Sequence, residues 1–106
     1  MELKLLLAYN IKPHREAEYY RFVMGEFLPA VQNLGLYMVE GWQTAYGSYP
    51  ARLLGFRANS NVDIPRLLRS PEWQEARDKL LRYVSDYEER VVPARNMFQF
   101  FIPKDR

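Results

Sequence analysis

Few side chains of this 106-residue chain belong to the types that carry out covalent or metal-dependent chemistry. The sequence contains one histidine, His14, and no cysteine, which excludes disulfides, thiolate metal sites and cysteine nucleophiles. A transition-metal site would therefore need mostly carboxylates, and no cluster with suitable spacing stands out. We expect neither a metal ion nor an organic cofactor.

Glu40 is the first candidate for acid–base chemistry, because it interrupts an otherwise apolar row in a strand-like segment. A buried carboxylate either pairs with a cation or has a raised pKa that suits proton transfer. The alternative to catalysis is a buried ion pair with Arg52, Arg57 or Arg95 that sets the register of a dimer.

His14 is the second candidate, as a general base at the mouth of a cavity. It lies at the start of the first predicted helix, just after the first predicted strand, where a histidine is usually exposed and without a function. Its charged form would also be disfavoured at a helix N-terminus. His14 is therefore expected to be either a general base or an exposed residue without a function.

Apolar periodicity and turn residues predict the order β-α-β-β-α-β. Gly55, inside the third strand, predicts a bulge or a close approach of another backbone. The strands are expected at Leu3 to Ile11, Leu36 to Tyr46, Arg52 to Ala58 and Arg95 to Ile102; the helices are expected at Pro13 to Leu34 and Pro71 to Pro93, with a short helical segment at Ile64 to Arg69 and a hairpin turn at Gly47 to Pro50.

Several residues mark the ends and interruptions of the two long helices. Ser70 is a preferred N-cap and Pro71 suits the first helical position. Pro29 predicts a kink or a division of the first helix near Glu26, since proline lacks the amide donor. Gly35 is placed to terminate the same helix.

The first and last predicted strands are apolar on both faces, as in the segment Leu3 to Ile11. A sheet with helices on one side buries only one of its faces. The second face needs a cover, and another copy of the chain is the simplest one. We therefore predict a homodimer formed face to face.

Composition limits the other classes of function. The net charge is +2, with 15 basic and 13 acidic residues interleaved along the chain, so no block of bases indicates nucleic-acid binding. The third strand, RLLGFRA, contains one aromatic residue and lacks the pattern of RNA-recognition motifs. No apolar run approaches a membrane span, and the N-terminus lacks the features of a signal peptide. We predict a cytoplasmic protein that binds neither membranes nor nucleic acids.

Four short motifs carry a resemblance to a known family: Phe27-Leu28-Pro29-Ala30, Asn33-Leu34-Gly35, Gly41-Trp42 and Ser70-Pro71-Glu72-Trp73. With the order of elements, they resemble the dimeric α/β barrel superfamily, and more narrowly its NIPSNAP-like branch, with the related EthD-like and antibiotic-biosynthesis-monooxygenase-like families.

The resemblance implies an α+β, ferredoxin-like domain over residues 1–106, in which a four-stranded antiparallel sheet carries two helices on one face. It implies that two such sheets form a shared barrel. From the geometry of that family, the pocket residues are expected to be Tyr9, Asn10, Trp42 and Tyr46. Haem-handling branches use a histidine in the later helical region, and residues 60–95 contain none.

Three functions remain open. The first is a homodimer that binds an apolar or aromatic small molecule, as the NIPSNAP-like resemblance implies. The second is a cofactor-independent monooxygenase or isomerase with Glu40 or His14 as base. The third is a structural module whose barrel is filled by side chains.

Overall fold

The computed structural model describes residues 2–43 and 52–94. The strands are β1 (Leu3–Ile11), β2 (Leu36–Gln43), β3 (Arg52–Ala58) and β4 (Val84–Pro93); the helices are α1 (Glu16–Phe22), α2 (Leu28–Asn33), α3 (Ile64–Leu67) and α4 (Pro71–Leu80), with a π-helical turn at Val23–Phe27 joining α1 to α2.

The described strands form one antiparallel sheet in the order β2-β3-β1-β4. The core packs between one face of this sheet and the helices: Leu5, Leu7 and Phe56 from the strands contact a cluster that includes Phe27 and Trp73 from the helical layer. This arrangement confirms the predicted ferredoxin-like α+β fold.

The first helical region is divided where Pro29 predicts it. Pro29 cannot donate to the carbonyl of Gly25, and the π turn directly precedes α2. The region starts at Glu16 rather than at Pro13, because His14 adopts a left-handed conformation with φ of 66°. Gly35 terminates α2 as predicted, with φ of 99° and its amide donating to the carbonyl of Gln32.

The second long helix is shorter than predicted. The Ser70 hydroxyl caps α4 by accepting from the amide of Trp73 at 3.2 Å, but α4 ends at Leu80. The predicted continuation to Pro93 is wrong, because Val84–Pro93 is strand β4.

The apolar spacing of this segment fits both structures. Tyr87 and Val91 are four residues apart, which places them on one helix face or on one strand face. Pairing with β1 from Leu3 to Ile11, interrupted by one bulge, selects the strand. The strand predicted at Arg95–Ile102, the hairpin turn at Gly47–Pro50 and the end of the second strand beyond Gln43 lie outside the described residues.

Candidate functional site

The strand register brings a row of side chains together on the face of the sheet that points away from the helices, here called the second face. Glu40, Gly55 and Leu6 are opposite one another in β2, β3 and β1. The next row consists of Trp42, Leu53 and Ala8. None of these residues belongs to the core cluster under the helices. The second face therefore has an apolar layer of its own, in which Leu6, Ala8 and Leu53 are buried within the single chain at 2%, 3% and 5% exposure.

A buried ion pair lies at one side of this surface. The Lys4 Nζ donates to the Glu40 Oε2 at 2.8 Å, and the two side chains are only 6% and 2% exposed. Lys4 is in β1 and Glu40 is in β2, so the pair spans the intervening strand β3. Two opposite charges at this distance neutralise each other in a setting where a lone charge would be costly.

Gly55 in β3 provides the space for the Glu40 side chain to reach Lys4 across this strand. A bulge in β2 between Met38 and Glu40 shifts the register, so that Glu40 lies opposite Gly55. A Cβ on residue 55 would lie 2.7 Å from the Glu40 Oε1, and the absence of a side chain leaves the carboxylate its space. The predicted close approach at Gly55 is thus made by a side chain rather than by a backbone.

The predicted arginine partners of Glu40 are wrong for the residues that the structure describes. Arg57 instead lies 3.7 Å from the Glu2 carboxylate and donates to the carbonyl of Ala94. Arg52 stacks its guanidinium on the Tyr20 ring at 4.9 Å from the centroid. Arg95 lies outside the described residues.

Lys4 is the residue that sequence reasoning missed. A lysine inside the apolar run LKLLLAY was the available signal, since a buried lysine needs an anionic partner. The order of strands, which places β1 two strands away from β2, was needed to identify Glu40 as that partner.

One oxygen of the Glu40 carboxylate can still accept a hydrogen bond. Among the described residues, the Glu40 Oε1 is buried and has no hydrogen-bond partner, whereas Oε2 accepts from Lys4. A carboxylate in this state can accept a further hydrogen bond from a neutral donor.

The predicted pocket residues are distributed over both faces of the sheet. Tyr9 is fully buried in the core, and its hydroxyl lies 2.7 Å from that of Tyr19. Burial, followed by the neighbouring Tyr19, raises the pKa of Tyr9 strongly, so this phenol stays neutral. Trp42 is half-buried on the second face. The structure therefore does not bring Tyr9 and Trp42 together.

The remaining predicted residues lie elsewhere. The Asn10 side-chain amide donates to the Asp86 carboxylate at 3.0 Å, at the far end of β1 from Lys4. His14 is exposed in the turn after β1. Glu40 is level with Leu6 in the middle of the sheet, whereas His14 follows the end of β1, so the structure does not make them partners. Tyr46 lies outside the described residues.

His14 gives a prediction about stability. Replacing it with glycine is expected to raise the free energy of unfolding by about 0.5–1 kcal/mol, because glycine adopts a positive φ without the steric cost of a Cβ. Urea unfolding measures the change. His14→Ala is the control: it removes the imidazole but keeps the Cβ, so a gain of equal size in this variant would contradict the backbone explanation.

A cleft of about 670 Å³ adjoins the second face at the start of β1 and the end of β3. Its wall includes Leu3, Tyr37 and Ile64, with Asn59 and Asp63 as polar groups. Tyr37 belongs to both the cleft and the second face, since it lies opposite Arg57, which in turn lies opposite Lys4.

Solved structures with the same fold support the predicted resemblance. A NIPSNAP domain protein from Burkholderia xenovorans matches with a TM-score of 0.59 and 16% identity over 98% of this chain and 100% of that one. An EthD family protein from Bacillus halodurans matches with a TM-score of 0.65 and 12% identity over 92% and 100%. The chain has the fold of the NIPSNAP and EthD proteins.

A NIPSNAP family protein of unknown function from Agrobacterium tumefaciens gives a TM-score of 0.59 at 19% identity, covering 91% of each chain. No protein-family model and no curated protein matches this chain. At these identities the NIPSNAP likeness extends to the fold alone.

Neither a metal-binding cluster nor a membrane-spanning helix is found in the described part of the chain. No group of three or more histidine or acidic residues there could hold a metal ion. No helix within residues 2–43 and 52–94 is long and apolar enough to cross a membrane.

Proposed function

We propose that this protein with the NIPSNAP fold is a homodimer that holds an apolar or aromatic small molecule between the second faces of its two sheets. The observation that carries the proposal is an exposed apolar run on β2, next to the second face. Tyr37, Met38 and Val39 are 41%, 45% and 40% exposed. Three consecutive apolar residues at the surface of a strand are typical of an interaction surface.

The position of the run favours a second copy as its partner. Strand β2 is at an edge of the described sheet, and no lysine or proline protects this stretch against pairing. The charges of Lys4 and Glu40 cancel, so no net charge from this pair repels an identical surface. A two-fold axis would then place the apolar run against the partner's corresponding surface.

The second face has the chemistry of an apolar ligand site. Leu6, Ala8 and Leu53, which are only 2%, 3% and 5% exposed, provide an aliphatic lining, and Trp42 provides a half-buried aromatic ring on the same face. The Glu40 Oε1 supplies one acceptor for a hydroxyl or amide donor of the ligand. Apolar walls with few polar groups are characteristic of small-molecule sites. Binding is favoured over catalysis because Lys4 holds the Glu40 carboxylate in an ion pair.

Native mass spectrometry of the purified protein tests both parts of the proposal. The expected spectrum is a dimer that carries additional mass, which denaturation releases. A monomer would contradict the assembly, and a dimer of unmodified mass that takes up no aromatic probe such as 1-naphthol would contradict ligand binding.

A matched pair of variants locates the interface. Tyr37→Glu is expected to give a folded monomer, because Tyr37 lies on the second face and two carboxylates would meet across the two-fold axis. Met24→Glu is the control, since Met24 is also exposed but lies on the π turn in the helical layer. Circular dichroism verifies that both variants fold. A dimeric Tyr37→Glu variant would place the interface elsewhere.

A further inference from the structure

A second candidate site lies in the helical layer, separate from the second face of the sheet. It is a cleft of about 570 Å³ between α1 and the π turn on one side and the end of α4 with the following turn on the other. Four cationic side chains line it, against the carboxylates of Glu18 and Glu26; the four are Arg15, Arg21, Lys79 and Arg82. The lining therefore has two positive charges in excess.

Two of these cations are already engaged. The Arg15 guanidinium pairs with Glu18 and lies over the Tyr83 ring, 4.9 Å from its centroid. The Lys79 Nζ lies 3.8 Å from the Glu75 carboxylate.

The two other cations have no such partner. Among the described residues, neither Arg21 nor Arg82 forms an ion pair. They approach the cleft from opposite walls, Arg21 from α1 and Arg82 from the turn after α4. The cleft therefore contains two guanidinium groups whose donors are available to an anion.

The backbone of the π turn adds a second, independent feature. Gly25 lies inside the helical region and lines the cleft, although glycine is the least favourable helical residue after proline. A Cβ at Gly25 would have no atom within 4 Å, so packing does not require glycine there. Its effect is to leave the cleft open beside Arg21. π turns of this kind are frequent at functional sites.

We propose that this cleft binds an oxyanion, namely the phosphate or carboxylate group of a small molecule, between the guanidinium groups of Arg21 and Arg82. Guanidinium groups donate two parallel hydrogen bonds to such groups, and the excess positive charge of the lining favours them over neutral ligands. The site is independent of the function proposed above, because it shares no residue with the second face.

Titration of the isotope-labelled protein with inorganic phosphate, followed by NMR at constant ionic strength, tests the site. Saturable shifts are expected at the Gly25 amide and at the Nε groups of Arg21 and Arg82. Acetate titrated in parallel shows which oxyanion is preferred, and saturation by either supports the site. Shifts that grow linearly with both anions, or that spread over the surface, would overturn the proposal.

Variants distinguish a site from general charge attraction. Arg21→Gln combined with Arg82→Gln should weaken binding by about tenfold or more, since charge-assisted hydrogen bonds are lost. The single variant Arg69→Gln is the control: it removes an exposed arginine that does not line the cleft, and it should leave phosphate binding unchanged. An equal loss of phosphate affinity in the double variant and in Arg69→Gln would show that only the net charge of the protein matters, and it would overturn the proposal.

The variant Gly25→Ala separates a role of Gly25 in anion binding from a purely structural role, because stability and phosphate affinity should change in opposite directions. Alanine favours the helix, so the melting temperature should rise. The added methyl group narrows the cleft, so phosphate affinity should fall. A gain in stability with undiminished phosphate affinity would contradict the role assigned to Gly25.

Discussion

Replacing Gly55 with alanine is expected to lower the free energy of unfolding by about 1–3 kcal/mol, the range found for overpacked positions. The new Cβ would lie 2.7 Å from the Glu40 Oε1, closer than non-bonded carbon and oxygen atoms approach. The carboxylate would have to move away from β3, and its bond to Lys4 would lengthen. Urea denaturation measures the loss.

Gly41→Ala is the matched control for this prediction. Both glycines are in neighbouring strands of the same sheet, but a Cβ at Gly41 would meet only the Leu54 Cδ2 at an ordinary 3.9 Å. Both substitutions reduce the entropy of the unfolded chain alike. The difference between the two variants therefore isolates the contact with Glu40, and equal stabilities would contradict it.

Replacing Lys4 with methionine is expected to cost about 3–5 kcal/mol, the penalty for removing one partner of a buried ion pair. Methionine fills most of the space of the lysine stem, so the loss reports the unpaired Glu40 carboxylate rather than a cavity. Thermal and urea unfolding of the variant measure the cost. Retained wild-type stability would show that Glu40 is accessible to water or is paired otherwise.

The double variant Lys4→Met with Glu40→Gln completes the experiment. Removing the charge of Glu40 as well should recover most of the lost stability, because no buried charge is left without a partner. A double-mutant cycle then yields the coupling energy of the two residues. Additive losses would mean that Lys4 and Glu40 act independently.

The Lys4–Glu40 ion pair has a consequence for function as well as for stability. It occupies the Oε2 of Glu40 and leaves Oε1 as the acceptor on the second face, among the described residues. If the double variant regains stability, it retains the fold but carries a neutral amide in place of the Glu40 carboxylate. The same protein can thus serve to test whether ligand binding needs the Glu40 carboxylate.

Local signals were sufficient for much of the fold. The bounds of β1 and β3 agree with the predicted ones, because apolar runs between turn residues define them. The interruption before Pro29, the end of α2 at Gly35 and the cap at Ser70 follow from the chemistry of single residues.

The segment after Leu80 needed the tertiary structure. Its apolar spacing suits a helix and a strand equally, and local preferences did not separate them. The choice depends on β1, which pairs with Val84–Pro93 on both sides of a bulge and is more than seventy residues distant in sequence. Such pairing is a property of the assembled sheet.

The candidate sites divide in the same way. The sequence by itself determined the order of elements, the apolar second face and the position of Glu40 as a carboxylate in an apolar row. Each of these depends on residue type and on local periodicity. The partner of Glu40 depends on a bulge, on Gly55 and on the order of three strands, and the oxyanion cleft depends on how α1 packs near the end of α4. Only the tertiary structure decided these contacts, because they join residues that no local pattern relates.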